Sequence, residues 1–420
     1  MYKERLIKSI SIVFIFNIFA AIAAYITRIV LARSLTPAEY GLFYSVFTFF
    51  IFFLFFRDLG LGKALVRFIP KWKVEEKFSK IKSAVMTVFF YQLLSSLIFT
   101  LIFLLSANYL ATNYFKDPRA VKIIYLFIIY VVTSILFTNI KNIFQGFQRM
   151  KLYALVELFK NTIVLILILI FLWVGFGLFA PIWAFALISS ILFVIFIAYA
   201  VKSFPFQKYK ISNSKDVSKQ LFTFGIPVIF TGIGGKVIGY IDTLLLTYYS
   251  TLDQVGIYNV VLPSALLLLF IGKSATAVIY PFASEVIARK EHKKIFHGLK
   301  ILYSYGALIL FIIISILVIF AKPIITLLFG SVYASGTLAF QIILIGTAFF
   351  LIASITNSII TAAGKPIWVT GIIGVAAALN TIVNIVLIPM YGITGAAIAT
   401  TMSYILVFIF SVLLVKKSLQ

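Results

Sequence analysis

The chain has 420 residues, of which 63% are hydrophobic and 11% charged, with a mean hydropathy of +1.13. Soluble domains run at roughly 45–50% apolar and about 25% charged, so this composition excludes a water-soluble domain, and disorder falls with it because disordered chains are poor in apolar residues. The 36 Lys+Arg against 12 Asp+Glu give a formal charge of +24, which on a polytopic membrane protein reports topology first and does not call for nucleic acid.

The basic start (Lys3, Arg5, Lys8) leads into an apolar run, Ser9 to Thr27. That run is too long for a signal-peptide core and has no small-residue cleavage site at its end, so it is read as the first span. A helix needs about 20 apolar residues to cross the hydrocarbon. Twelve spans follow, over 9–32, 39–66, 82–107, 120–146, 152–174, 180–201, 220–248, 255–285, 299–320, 337–362, 367–388 and 394–415. Turn chemistry at Leu35-Thr36-Pro37, Lys116-Asp117-Pro118 and Gly175-Phe176-Gly177 supports the cuts. Trp72, Trp173, Trp183 and Trp368 fall at predicted ends, as an aromatic belt would have them. The fold class is all-α, polytopic and membrane-embedded.

Alternate loops divide the cations unequally. With the N-terminus inside, twenty-four loop cations are cytoplasmic, including Arg67, Lys71, Lys73, Lys208, Lys293 and Lys300. Five are external: Arg33, Lys116, Arg119, Lys122 and Lys322. The positive-inside rule then places both termini in the cytoplasm and the protein in the cell membrane. The polar connection 202–219 separates residues 1–201 from 220–420, giving two lobes of six helices. The lobes share a pattern: Thr36-Pro37-Ala38-Glu39-Tyr40-Gly41 follows the first span, and Thr251-Leu252-Asp253-Gln254-Val255-Gly256 the seventh. Equal six-span counts make the repeat parallel, a common transporter architecture.

Seven cations remain inside the spans: Arg28, Arg57, Lys63, Lys141, Lys160, Lys236 and Lys273. Three acids accompany them: Asp58, Glu157 and Asp242. An ionisable group in the bilayer is costly unless it is paired or faces water, so each is a candidate for function. Arg28 lies near the outer end of its span, close enough to snorkel. Lys141 and Lys160 lie near inner ends, and Glu157 stands three residues from Lys160, within pairing reach on one helix face. Arg57 and Asp58 are adjacent, point apart on a helix, and so need other partners. Lys236 follows sixteen uncharged residues and lies roughly 24 Å into its helix at about 1.5 Å per residue. Gly225, Pro227, Gly232, Gly234, Gly235 and Gly239 surround it and suggest a loosened or broken helix. Lys273 has nineteen uncharged residues before it and eleven after. Asn139, Asn142, Gly146 and Arg149 share one helical face of the fourth span, read as cavity-lining. An excess of cations favours an anionic ligand, and phosphate or pyrophosphate is the natural one.

Several classes are disfavoured. The absence of cysteine removes disulfides, thiolate nucleophiles and Cys metal sites. His292 and His297 sit in one basic stretch, so neither a metal site nor His acid/base chemistry is expected. No P-loop is present: around Gly235-Lys236, position 230 is Phe and position 237 is Val. Short, acid-poor outer loops argue against a membrane glycosyltransferase, and the chain is read as not an enzyme. No cofactor is expected, and coupling to Na+ or H+ is left open.

Leu31-Ala32-Arg33-Ser34-Leu35-Thr36-Pro37-Ala38-Glu39-Tyr40-Gly41-Leu42-Phe43, Asp58-Leu59-Gly60-Leu61 and Ala64-Leu65-Val66-Arg67 resemble the start of the polysaccharide biosynthesis protein family, the O-antigen-type flippases. Phe224-Gly225-Ile226-Pro227, Tyr240-Ile241-Asp242, Val255-Gly256-Ile257-Tyr258 and Tyr280-Pro281 extend the resemblance through the second half. It implies the multidrug/oligosaccharidyl-lipid/polysaccharide exporter fold, with two lobes in a V and a central cavity. It also implies a flippase that moves polyprenyl-(pyro)phosphate-linked oligosaccharide to the outer leaflet by alternating access, in a pathway shared with glycosyltransferases. On that reading Lys236, Lys273, Arg57 and Arg28 hold the phosphate, with Lys63, Lys141 and Lys160 assisting. Asp58, Glu157 and Asp242 serve as charge partners or ion-coupling carboxylates. The alternative on the same fold is a multidrug/ion antiporter with an intramembrane acid, Asp242 or Asp58, as its cation site.

Overall fold

The computed structural model describes residues 2–212 and 214–419, with side chains from residue 13 onward. The side chains of Lys3, Arg5 and Lys8, the first residues of the run Ser9 to Thr27, and Asn213 of the polar connection lie outside that description. Among the described residues the chain is helical and contains no strand. The helices are α1 (Tyr2–Ser34), α2 (Pro37–Arg57), α3 (Leu61–Val74), α4 (Phe78–Tyr109), α5 (Arg119–Gly146), α6 (Met150–Trp173), α7 (Ala180–Ser203), α8 (Ser214–Tyr249), α9 (Leu252–Ala265), α10 (Leu269–Ala288), α11 (His292–Ile301), α12 (Ala307–Ile319), α13 (Ala321–Phe329), α14 (Thr337–Ala362) and α15 (Pro366–Ser418). Eleven described stretches are long and apolar enough to cross a membrane. The last, α15, has 53 residues and would measure about 80 Å if straight, more than twice the roughly 30 Å hydrocarbon core. It is kinked at Gly392 (φ 54°, ψ −129°), between the predicted spans 367–388 and 394–415, and therefore supplies two crossings.

Local chemistry sets the helix starts. Thr36 and Glu39 form a reciprocal capping box ahead of α2: Glu39 Oε2 accepts from the Thr36 amide at 3.1 Å, and Thr36 Oγ1 accepts from the Glu39 amide at 3.3 Å. Thr251 repeats the cap on α9, accepting from the Gln254 amide at 3.4 Å. The repeat seen in the sequence is thus a repeated helix N-terminus.

Three spans depart from expectation. The second, 39–66, is two helices. It breaks at Asp58–Gly60, where Leu59 (φ 51°) and Gly60 (φ 69°) take left-handed conformations. The Gly60 position also admits no side chain, because a Cβ there would fall 2.0 Å from the Gly225 carbonyl oxygen. Behind the break α3 is amphipathic. Its apolar face (Leu61, Leu65, Phe68, Ile69, Trp72) is buried against Ile81, Val85, Val88, Val217 and Leu221. Trp72 is therefore core, stacked on Phe68 at 5.0 Å, and not part of an interfacial belt. The seventh span, expected to be loosened, runs as one helix, α8, through Pro227 and its glycines. The discontinuity lies in the eighth, where a 3-10 turn at Leu266–Leu268 separates α9 from α10, just after Pro263. Proline removes a backbone donor and crowds the preceding turn, and here the 3-10 turn begins three residues later.

The chain divides into two compact units. One comprises residues up to Leu35 together with Val46–Phe230, and the other Thr36–Ser45 together with the chain from Thr231 onward. In the first unit α5 packs against α3, α4 and α7, and α6 against α1 and α7. In the second α14 is central, touching α9, α10, α12 and α15. The start of α2 belongs to this second unit. Within it the two repeated helix starts meet backbone to backbone: a Cβ on Gly41 would lie 1.8 Å from the Leu252 carbonyl oxygen, and one on Gly256 would lie 2.1 Å from that of Pro37.

Gly392 is a further position that only glycine fits. Its φ is positive, and a Cβ would lie 2.0 Å from Gln254 Oε1, which accepts from the Ile393 amide at 3.2 Å. Gly392→Ala should cost about 1–3 kcal/mol, read as a lower thermal midpoint of the purified protein. An unchanged midpoint would mean that the kink does not require glycine.

Candidate functional site

Each unit holds an acid network around an intramembrane carboxylate, half-buried in the first and buried in the second. In the first, Asp58 follows the end of α2 and accepts from Gln92 Nε2 at 2.6 Å and from the Gly62 amide at 3.3 Å. Gln92 in turn accepts from Asn139 Nδ2 at 2.9 Å, so α4 and α5 extend the network. Arg57 is 4% exposed and turns away from its neighbour, donating to the Val131 carbonyl and, at 2.7 Å, to Ser134 Oγ. The two adjacent charges thus find separate partners, Arg57 at the last position of α2 and Asp58 in the break that follows it. Asn142 is half-buried, with an Nδ2 that has no hydrogen-bond partner, beside Gly62 and Asp58.

Farther along the same unit, Glu157 on α6 pairs with Lys141 on α5. Lys141 also lies 5.2 Å from the Tyr153 ring, and Lys160 lies 5.5 Å from that of Phe137. Lys63 is exposed on α3, and Arg28 is half-buried on α1.

The second unit holds Asp242, 1% exposed in α8. Its carboxylate accepts from Tyr258 Oη of α9 at 2.6 Å, from Asn384 Nδ2 of α15 at 2.7 Å, and from Thr400 Oγ1. Asn384 and Thr400 stand on opposite sides of the Gly392 kink, so the fold-back of α15 is what brings both to one carboxylate. Asn380, one helical turn before Asn384, donates to Thr400 Oγ1 at 3.5 Å. The Oδ1 atoms of Asn380 and Asn384 are buried without any donor. A buried acceptor with no donor costs about 1–3 kcal/mol, which two residues at 0% exposure would incur together. No Lys or Arg makes an ion pair with Asp242 among the described residues. The cluster therefore offers a carboxylate, two free amide oxygens and two hydroxyls: oxygen donors suited to a hard cation, or a carboxylate that takes a proton.

Lys236 and Lys273 belong to the same unit. Lys236 is half-buried with Nζ 5.4 Å from the Tyr240 ring centroid. Lys273 is exposed on α10, 5.1 Å from that of Phe270.

Sequence reasoning found the three acids but not Tyr258, Asn380, Asn384, Thr400 or Gln92. The four-residue spacing of Asn380 and Asn384 in an otherwise apolar span was the available signal, since it sets both amides on one face.

The profile of a family described as polysaccharide biosynthesis protein matches residues 6–287. Among curated proteins, the uncharacterized membrane protein MJ1068 of Methanocaldococcus jannaschii is 31% identical over all of this chain and 85% of its own length. The probable low-salt glycan biosynthesis flippase Agl15 of Haloferax volcanii is 23% identical over 44% of this chain and 40% of its own. Among solved structures, the lipid II flippase MurJ in an inward closed conformation superposes with a TM-score of 0.76, at 17% identity, over 96% of this chain and 88% of that one. The likeness to MurJ establishes a shared fold.

Proposed function

Because the chain belongs to the polysaccharide biosynthesis protein family, we propose that it is a flippase for polyprenyl-(pyro)phosphate-linked oligosaccharide. The observation that carries the reading is how its intramembrane charges are used. All three acids are engaged by partners inside their own units: Asp58 by Gln92, Glu157 by Lys141, and Asp242 by Tyr258, Asn384 and Thr400. Lys273 is exposed and makes no ion pair with an acid among the described residues, so its charge is available to an anion from outside the chain. Lys236, deep in α8, supports it. The relative named as a glycan biosynthesis flippase supports the same substrate class. Asp242 is the coupling residue on this reading, with Na+ or H+ as its ion. The protein resides in the cell membrane with both termini cytoplasmic and works beside glycosyltransferases that build the lipid-linked glycan.

Mechanistically, Lys236 and Lys273 would bind the phosphate as point charges while the glycan crosses. Removing a charged hydrogen-bond partner costs about 1.5–3 kcal/mol, or roughly ten- to a hundredfold in affinity. The test is reconstitution with a fluorescent polyprenyl-pyrophosphate sugar. Leaflet transfer should be observed, and Lys236→Ala with Lys273→Ala should reduce it at least about tenfold. Efflux of organic cations with no lipid transfer would establish the antiporter reading in its place.

A further inference from the structure

Helices α12 and α14 enclose an apolar groove of about 550 Å³ that the transport reading does not use. Its walls include Ala307, Leu310, Phe311 and Ile314 from α12, and Ala348 and Phe349 from α14. The floor is core, with Leu310 and Ile314 each 7% exposed, whereas Phe311 on the rim is 69% exposed. The groove runs from Ala307 to Val318, about 16 Å at 1.5 Å per residue, roughly half the hydrocarbon thickness and so the depth of one leaflet.

One end of this wall is strongly basic. Chain-wise before α12 come a π-helical turn at Leu302–Gly306 and α11, which carries Lys293, Lys294 and Lys300. Lys294 is paired with Glu291 at 2.7 Å. Lys293 and Lys300, two helical turns apart and therefore on one face, are exposed and make no ion pair with an acid among the described residues. Lys300 lies about 10 Å along the axis from Ala307. Free cations at the interface, followed by a leaflet-deep apolar groove on the same helical run, complement a molecule with an anionic head and a hydrocarbon tail. We propose that the α12–α14 groove is a binding site for an anionic membrane phospholipid, whose phosphate sits on Lys293 and Lys300. Interfacial lysines attract anionic headgroups, and the chain fills the groove. The inference is independent of what the protein transports.

The test uses the full chain purified in detergent, with thermal melting followed against added phosphatidylglycerol, phosphatidylcholine or inorganic phosphate. Phosphatidylglycerol should stabilise at about tenfold lower concentration than phosphatidylcholine, and inorganic phosphate should do nothing. Replacing both lysines (K293A with K300A) should erase the preference between the two lipids while leaving stabilisation by either. Ala348→Trp, which fills the groove from α14, should erase stabilisation by both; Ala307→Phe from the facing helix serves if that variant does not fold. Equal stabilisation of all variants by phosphatidylglycerol would overturn the site. So would an effect reproduced by inorganic phosphate alone, or displacement of phosphatidylglycerol by a polyprenyl phosphate at far lower concentration, which would assign the groove to the carrier.

Discussion

Replacing Asp242 by Asn should abolish the dependence of transport on an imposed Na+ or pH gradient and lower the rate by about a hundredfold or more. The substitution preserves shape but removes the charge that collects Tyr258, Asn384 and Thr400 around one point. Each hydrogen bond to a charged group contributes about 1.5–3 kcal/mol, and two of them suffice for the stated loss at about 1.4 kcal/mol per tenfold. The measurement is transport by reconstituted protein with the gradient set in either direction. A second readout isolates the ion: Na+ should raise the melting temperature of the native chain, as any ligand of the folded state does, and not that of Asp242→Asn. Asp58→Asn is the control, since that carboxylate already has Gln92 and a backbone amide, and the one orphaned oxygen of its network, Asn139 Oδ1, belongs to a residue that reaches Asp58 only through Gln92. Retained gradient dependence in Asp242→Asn, with loss in Asp58→Asn, would move the coupling site to the first unit.

Gly256→Val should separate the starts of α2 and α9. The atoms that a Cβ would meet are the Pro37 carbonyl and the Gly41 amide, which are backbone and cannot swing aside. Overpacking of this kind costs about 1–3 kcal/mol, enough to change a conformational ratio by up to roughly a hundredfold. Ser45 reports the change: it is 0% exposed and bonded to Thr247 at 2.9 Å. The chain has no cysteine, so a Ser45→Cys thiol is the single labelling target. Its modification by a water-soluble maleimide should accelerate about tenfold or more in the Gly256→Val background. Gly41→Val should do the same, and the two together should add little, because one seat is opened once. Equal labelling rates in all backgrounds would show that the seat does not hold the helices together.

The spans, the helix starts and the charged residues were legible in the sequence because each depends on near neighbours. Apolar length gives a span, the turn chemistry of Leu35-Thr36-Pro37 gives a helix boundary, and the run Arg57–Lys63 announces a break. The partners of those charges were not legible. Asp242 finds Asn384 and Thr400 more than a hundred residues away, through a kink that depends on the conformation of a single glycine. The glycines of α8 misled for a related reason. Glycine permits a broken helix without requiring one, and Gly234 is spent on close approach to Ile373 and Gly374, a tertiary demand with no local signature. Pro263, by contrast, stands three residues before the turn that ends α9.

The Gly41–Gly256 seat has the geometry of a dimer written into one chain. Position 41 presses on the carbonyl of 252 and position 256 on that of 37, so each half offers the other the same surface. That is the isologous arrangement of a two-fold homodimer. In a true dimer every substitution at such a contact strikes twice. Within one chain each side can differ, as Glu39 and Gln254 do at equivalent positions. The first closes its own cap, while the second accepts from the Ile393 amide.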